Sequence, residues 1–331
     1  MKAIIYENYG GPEVLKLKDI PKPEPKSNEL LVRIHASTIN YGDVSARNFK
    51  NISFSEFNMP SILLIFAKLA FGISKPKTQV LGSEFSGEIE AVGNSVTKFK
   101  TGDPVFGYTG MKLGAHAEYV CINENGMVAL KPRNRSHEET SALPYGGIMA
   151  LELLKKTPVG KGQKVLVNGA SGAIGSAAIQ ILKFQGAEVT GVCSADRMSY
   201  VKALGADFVL DYSKKDYLSS GKKYDLIFDI LGKLKWSDCK KLLTENGKVL
   251  FASFKTSKLA RMLITGFFGK QKVICALAGE NQANMETLKN LAVNDHLKTI
   301  IDRIFPLEEA VKAHDHYENK LNKGHVILKI Q

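Results

Sequence analysis

Apolar residues recur along this chain in two different rhythms. Through residues 1 to 40, short alternating runs at Lys2-Ala-Ile-Ile-Tyr6, Val14-Leu-Lys-Leu17 and Glu29-Leu-Leu-Val-Arg-Ile-His35 are separated by Gly10-Gly-Pro12 and a Pro21 to Pro25 spacer. Runs of this length, bounded by turn residues, predict an antiparallel β domain. Ser37 to Asp43 then reads as a polar turn leading into a short helix, and Gly82–Gly93, Val96–Gly107 and Gly114–Val120 as further strands. From residue 164 the rhythm changes. Apolar runs at Lys164–Asn168, Ala187–Val192, Asp207–Asp211, Asp225–Asp229 and Lys248–Ser253 alternate with helix-length segments, which predicts a doubly wound parallel sheet with helices on both faces. Tyr317 to Lys320 reads as a helix end and Gly324–Ile330 as a closing strand.

The first of these later runs leads into Gly169-Ala170-Ser171-Gly172-Ala173-Ile174-Gly175. Here Gly169 permits a tight turn, Gly172 lets backbone approach phosphate oxygens and Gly175 lets the helix pack closely on the strand. The free N–H groups at the helix start then face an anion, as a dinucleotide pyrophosphate requires. An ordinary βα turn is the plainer alternative. The strand before, the helix after and the second strand at Ala187 favour the cofactor site.

Length and charge refine this reading. At 331 residues and 44% hydrophobic content the chain has material for two domains. Its net charge of +12 comes from 45 Lys and Arg against 33 Asp and Glu, scattered rather than gathered in a tail or interleaved with aromatics. Nucleic acid is therefore not an expected partner; a basic field can steer an anionic cofactor or bring a chain near an anionic membrane, but a lysine-rich surface is the plainer reading and the one preferred. Cys121, Cys193, Cys239 and Cys275 form no Cys-x-x-Cys pair, so neither a zinc lobe nor a disulfide framework is expected. With no signal peptide, the expected location is cytoplasmic. The apolar run Ile62 to Gly72 is too short to span a bilayer and carries Lys68; it reads as a soluble or interfacial segment.

The Asn40 to Asp43 turn, the Gly82 to Gly107 run, the Gly114 to Tyr119 strand and the Gly169 to Gly175 turn occur in an order that resembles the medium-chain dehydrogenase/reductase superfamily, and within it the zinc-free quinone oxidoreductase branch. The resemblance runs nearly end to end. It implies a GroES-like β domain interrupted by a Rossmann domain, with residues 1–126 in the first, 127–265 in the nucleotide domain and 266–331 returning to the first. It also implies an active site in the cleft between them, walls built from the apolar-basic segments 62–77 and 259–272, and a homo-oligomer, a dimer.

Zinc members of that superfamily place a Cys where this chain has Ile39 or Asn40, and a His before the Glu where it has Ser83-Glu84. Those ligands and the four-cysteine lobe are absent from the sequence, which argues against a zinc alcohol dehydrogenase and leaves no metal expected. His35 and His116 fall on predicted strands, His314 and His316 face apart on a predicted helix, and all four read as structural or solvated. Without a Lewis acid, a simple ketone is a poor acceptor, whereas a quinone or an α,β-unsaturated carbonyl spreads incoming charge through conjugation. Asn40 and Asp43 match the family's turn near nicotinamide and substrate. Tyr41 stands where a small residue or Pro is usual, and is either a local proton donor or a packing residue; Tyr108 is a lesser candidate. Met149, in Leu143-Pro-Tyr-Gly-Gly-Ile-Met-Ala150, replaces a Thr whose hydroxyl normally contacts the nicotinamide region.

The cofactor expected is NADPH. The second strand ends in Val192-Cys193-Ser194, without the acidic residue an NAD ribose takes. Ser194 and Arg197 leave room for a 2′-phosphate, which suits the forked donors of Arg, and the resemblance implies Arg197 and Tyr212 flanking that phosphate. Ser194 as a helix N-cap and Arg197 as a solvated residue are the alternatives, and Asp196 leaves NAD open. Leu231 and Ser253 end later strands where such sheets touch cofactor. The expected function is NADPH-dependent hydride transfer to a quinone or enone. A cofactor-binding protein with secondary activity, crystallin-like or nucleic-acid-binding, and a peripheral membrane reductase of lipophilic enones are the competing readings.

Overall fold

The computed structural model describes residues 1–53, 57, 59–214, 221–319 and 322–331; Lys320, expected at a helix end, lies outside them. The chain forms two compact units. One comprises Met1–Ser53, Ile65–Tyr145 and Glu280–Gln331, and the other is Gly146–Gly279 with a short stretch ending at Leu64.

The first unit opens with an antiparallel pair, β1 (Lys2–Ile5) and β2 (Lys16–Asp19). Its organising strand is β3 (Glu29–Ile39), followed by the helices α1 (Tyr41–Arg47) and α2 (Ser61–Phe71). Next come β4 (Glu84–Val92), β5 (Pro104–Tyr108), β6 (Tyr119–Asn123), β7 (Val128–Leu130) and the helix α3 (His137–Ser141), after which α4 (Pro144–Leu154) carries the chain into the second unit. Inward-facing Leu30, Val32 and Ile34 of β3 meet Phe85, Ile89 and Val105 to form one core. The predicted strand at Gly114–Val120 is displaced: Leu113 and Gly114 adopt positive φ of 56° and 100°, and pairing with β3 starts only at Tyr119. His116 therefore sits in the segment before β6 rather than on a strand.

The second unit contains β8 (Lys164–Asn168), α5 (Ala173–Phe184), β9 (Glu188–Cys193), α6 (Met198–Ala203), β10 (Phe208–Asp211), β11 (Tyr224–Asp229), α7 (Trp236–Leu242), β12 (Leu243–Phe251), α8 (Thr256–Phe267) and β13 (Lys272–Cys275). The six strands are parallel in the order β10-β9-β8-β11-β12-β13. Chain direction across the sheet reverses between β8 and β11, the place where doubly wound sheets open a crevice at the strands' carboxyl ends.

The remainder returns to the first unit as α9 (Ala283–Val293), β14 (Ile301–Pro306), α10 (Ala310–Glu318) and β15 (His325–Lys329). That unit's sheet runs β14-β15-β3-β4-β5-β7, with β6 also on β3. A second core joins Ile4, Tyr6 and Leu15 to Phe305, Ala313 and Val326. The fully buried Arg47 secures the same junction: Nε donates to Gly10 O at 3.1 Å, Nη1 to His314 Nδ1 at 2.8 Å, and Nη2 pairs with Glu318. A buried guanidinium needs such satisfied partners.

Both unit boundaries fall later than expected. β7 pairs with β5, so the first unit extends past residue 127 to Tyr145. β13 pairs parallel with β12, which carries the second unit past residue 265 to Gly279. β13 is a four-residue strand close behind the apolar-basic run, and only Gly269, with φ of 82°, marks the turn between it and α8 in the sequence.

Candidate functional site

In the first unit the polar residues gather where β3 gives way to α1. Asn40 caps the helix: its Oδ1 accepts from Gly42 N at 2.8 Å and Asp43 N at 3.3 Å, while its own N–H donates to Asp43 Oδ2 at 2.9 Å. This reciprocal box satisfies N–H groups that a helix start otherwise leaves open. The amide nitrogen turns the other way and donates to Ser83 Oγ and Glu84 Oε2, both at 2.9 Å. Tyr145 N donates to Glu84 Oε1 at 2.7 Å, and Gly82 N to Asp43 Oδ1 at 3.1 Å.

Asn40, Asp43, Ser83 and Glu84 are all buried. Burial pushes the Asp43 carboxyl up to about 7 and that of Glu84 up to about 8, against the opposing pull of their N–H and amide donors. The rings of Tyr108 and Tyr145 lie 6.4 Å apart, and burial raises both phenols, as it does that of Tyr317. Tyr41, at the first position of α1, is 60% exposed. Asn40 and Asp43 thus have their polar atoms engaged within the fold, whereas Tyr41 presents its side chain to solvent. Glu84 is the participant that sequence reasoning passed over, noticed there only as half of a missing zinc motif. Among the described residues no group of three or more His, Cys, Asp or Glu is arranged to hold a metal ion.

In the second unit the glycine turn stands at the switch point. Gly169 has φ of +91°, and its N–H and that of Ala170 both reach Val192 O, at 3.3 and 3.0 Å. A Cβ on Gly175 would lie 2.2 Å from Gly169 O and 2.8 Å from Ala170 backbone, so only glycine fits. At Gly172 a Cβ would meet nothing nearer than Gly169 O at 3.6 Å. That open, exposed N-cap of α5 is the room a pyrophosphate needs beside unpaired helix N–H groups. Ser171, Ala173 and Ile174 are partly exposed around it and Ala170 is buried beneath it.

The loop after β11 completes this end of the sheet. Asn168 Nδ2 donates to Asp229 Oδ1 at 2.8 Å across the β8–β11 junction, and Asp229 also accepts from Gly232 N at 3.0 Å and Leu234 N at 2.8 Å. Leu231 is held against Gly169, where a Cβ would approach it to 3.0 Å, and Gly232 lies against Ser253 O. Leu231 thus lies beside the glycine turn, and Ser253 lies beside the next residue, Gly232. Ser194 and Tyr212 each follow the last paired residues of adjacent strands, Cys193 and Asp211, and Tyr212 N donates to Cys193 O at 3.1 Å. The Ser194 side chain makes no capping bond, and Arg197 lies three residues on, its Nε 4.0 Å from Asp196 Oδ2.

A β unit with a buried polar centre, joined in sequence to a doubly wound unit with a glycine turn at its switch point, defines the architecture of the nicotinamide-dependent dehydrogenases and reductases. Residues 26–132 match the alcohol dehydrogenase GroES-like domain and residues 204–328 the zinc-binding dehydrogenase family. The chain is 32% identical to a chloroplastic quinone-oxidoreductase homologue of Spinacia oleracea, over 100% of its own length and 97% of the relative's. It is 30% identical to the chloroplastic NADPH-dependent alkenal/one oxidoreductase of Arabidopsis thaliana, over 76% of this chain and 62% of that protein. The solved quinone oxidoreductase of Coxiella burnetii superposes with a TM-score of 0.84 at 29% identity, covering 100% of this chain and 99% of that one. The chain belongs to the medium-chain dehydrogenase/reductase superfamily, in its quinone-oxidoreductase-like branch.

Proposed function

We propose that this protein is an NADPH-dependent, zinc-independent reductase of quinones or α,β-unsaturated carbonyls. The observation that carries the reading is the Asn40 side chain: a neutral amide, bonded to Ser83 and Glu84, fills the centre where a metal-dependent relative needs a thiolate. Such a centre offers no thiolate to hold a Lewis acid, and its own donors are engaged within the fold. Conjugated acceptors suit it, because their charge is dispersed and needs only donors and orientation. The names of the relatives, which include quinone and alkenal/one reductases, support the same acceptor class.

A bound reduced nicotinamide dinucleotide supplies the hydride. The chain's residues would do the rest: the backbone N–H groups of Ala173 to Gly175 would hold the pyrophosphate, Ser194, Arg197 and Tyr212 would hold the 2′-phosphate, and Leu231 and Ser253 would line the turn. Asn40 and Asp43 act by positioning the start of α1, and the exposed Tyr41 hydroxyl donates to the acceptor oxygen. The deciding experiment is an acceptor panel run with NADPH and with NADH after dialysis against a chelator. Rapid turnover of quinones or enones with NADPH supports the proposal; activity confined to saturated aldehydes, or restored only by zinc, overturns it.

A further inference from the structure

Helix α8 carries its apolar stripe on the outside. Ala260, Leu263, Ile264 and Phe267 recur at the i, i+3, i+4, i+7 spacing of one helix face, and all four are exposed, Phe267 at 83%. Phe268 continues the surface at 73%. The opposite face anchors the helix through polar contacts as well as packing. Thr265 Oγ1 accepts from Val273 N at 3.0 Å, Met262 sulfur from Cys275 N at 3.3 Å, and Lys272 Nζ donates to Thr265 O at 2.7 Å and Gly266 O at 3.1 Å, closing the C-terminal turn. The outward stripe is therefore held in place by its own unit.

The sequence around the stripe is basic, with one acid, Glu245, paired to the exposed Lys270 at its end. Between Glu245 and Glu280 the sequence holds Lys248, Lys255, Lys258, Arg261, Lys270 and Lys272 and not one Asp or Glu. Lys255, Arg261 and Lys270 are exposed beside the stripe. Apolar side chains flanked by cations match an anionic bilayer surface, with acyl chains for the stripe and lipid phosphates for the flanks. At 12 residues α8 is about 18 Å long and lies on a membrane rather than crossing it. The spacing recurs on α2, where Ile62, Ile65, Phe66 and Leu69 are exposed in an acid-free stretch with three lysines between Glu56 and Glu84.

We propose that α8 is an interfacial docking helix for anionic lipid surfaces, independent of which acceptor the enzyme reduces. The test is flotation of the full chain with phosphatidylcholine vesicles, with and without phosphatidylserine, alongside sedimentation of the protein alone. The wild type is expected to float with the anionic vesicles only, and less so at high salt. Leu263→Ser/Phe267→Ser should retain its melting temperature and lose vesicle binding about tenfold or more, and Phe267→Trp should shift its emission to the blue on the same vesicles. Wild type that ignores anionic vesicles, a double variant that still binds them, or a stripe whose substitution only converts a dimer to monomers would overturn the proposal.

Discussion

The amide of Asn40 donates to the carboxylate of Glu84 over 2.9 Å, and both side chains are buried. One residue ends a strand and caps a helix, and the other begins the neighbouring strand, so the bond fixes where α1 starts against the sheet. Burial, opposed by this bond, makes Glu84 a titrating group in an unusual range.

Burial raises Glu84 from an ordinary 4.5 to about 8. A carboxyl raised in the folded state contributes stability that is fully present below the unfolded value of about 4.5 and lost as pH rises through about 8. Glu84→Gln removes this dependence. Melting curves at about pH 5 and about pH 8.5 should show the wild type losing at least about 2–4 °C more than the variant across that interval. Parallel curves would mean that the donors from Asn40 and Tyr145 outweigh desolvation.

The two glycines of the turn should fail differently. Gly175→Ala forces a methyl group onto the Gly169 carbonyl and should destabilise by about 1–3 kcal/mol. Gly172→Ala has room for the methyl, so its melting temperature should hold while dinucleotide binding weakens by about tenfold, or 1.4 kcal/mol. Thermal denaturation and fluorescence titration with NADPH separate the two effects, and a stable, tightly binding Gly172→Ala would remove the turn from the cofactor site.

Arg197→Ala tests cofactor choice. A charge-assisted contact contributes about 1.5–3 kcal/mol, so KM for NADPH should rise by about 10- to 150-fold with that for NADH nearly unchanged. Equal effects on both would leave Arg197 a surface residue.

Tyr41→Phe tests proton supply. A hydroxyl that donates to the developing enolate lowers kcat more than it weakens binding when removed. Steady-state kinetics with an enone read the split directly; an unchanged kcat assigns the proton to water.

Much of the fold could be read from periodicity because most strands of the second unit are short, apolar at their centres and mostly separated by helices. The turn from Gly169 to Gly175 was legible for the same reason: each glycine answers a local demand that its neighbours display. What escaped is non-local. β13 is four residues of Lys-Val-Ile-Cys whose identity depends on the β12 backbone beside it. Glu84 reads as one acid among many until Asn40 and Tyr145, 44 and 61 residues away, converge on it. The outward stripe of α8 has the spacing of a buried face, and sequence alone cannot say which way a face points.

The seam between β3 and β15 bears on how the chain is made. Ile39 pairs with Val326 and Ala36 with Lys329, and Arg47 waits for His314 and Glu318. A ribosome delivers one side of this seam before the six strands of the parallel sheet and the other after them. Every strand of the parallel sheet is thus made before Val326 is available to pair with Ile39. Nascent chains arrested short of His325 should show protease protection within 146–279 and leave open the β3 edge that takes β15, which makes the seam a clasp fastened only once the parallel sheet is complete.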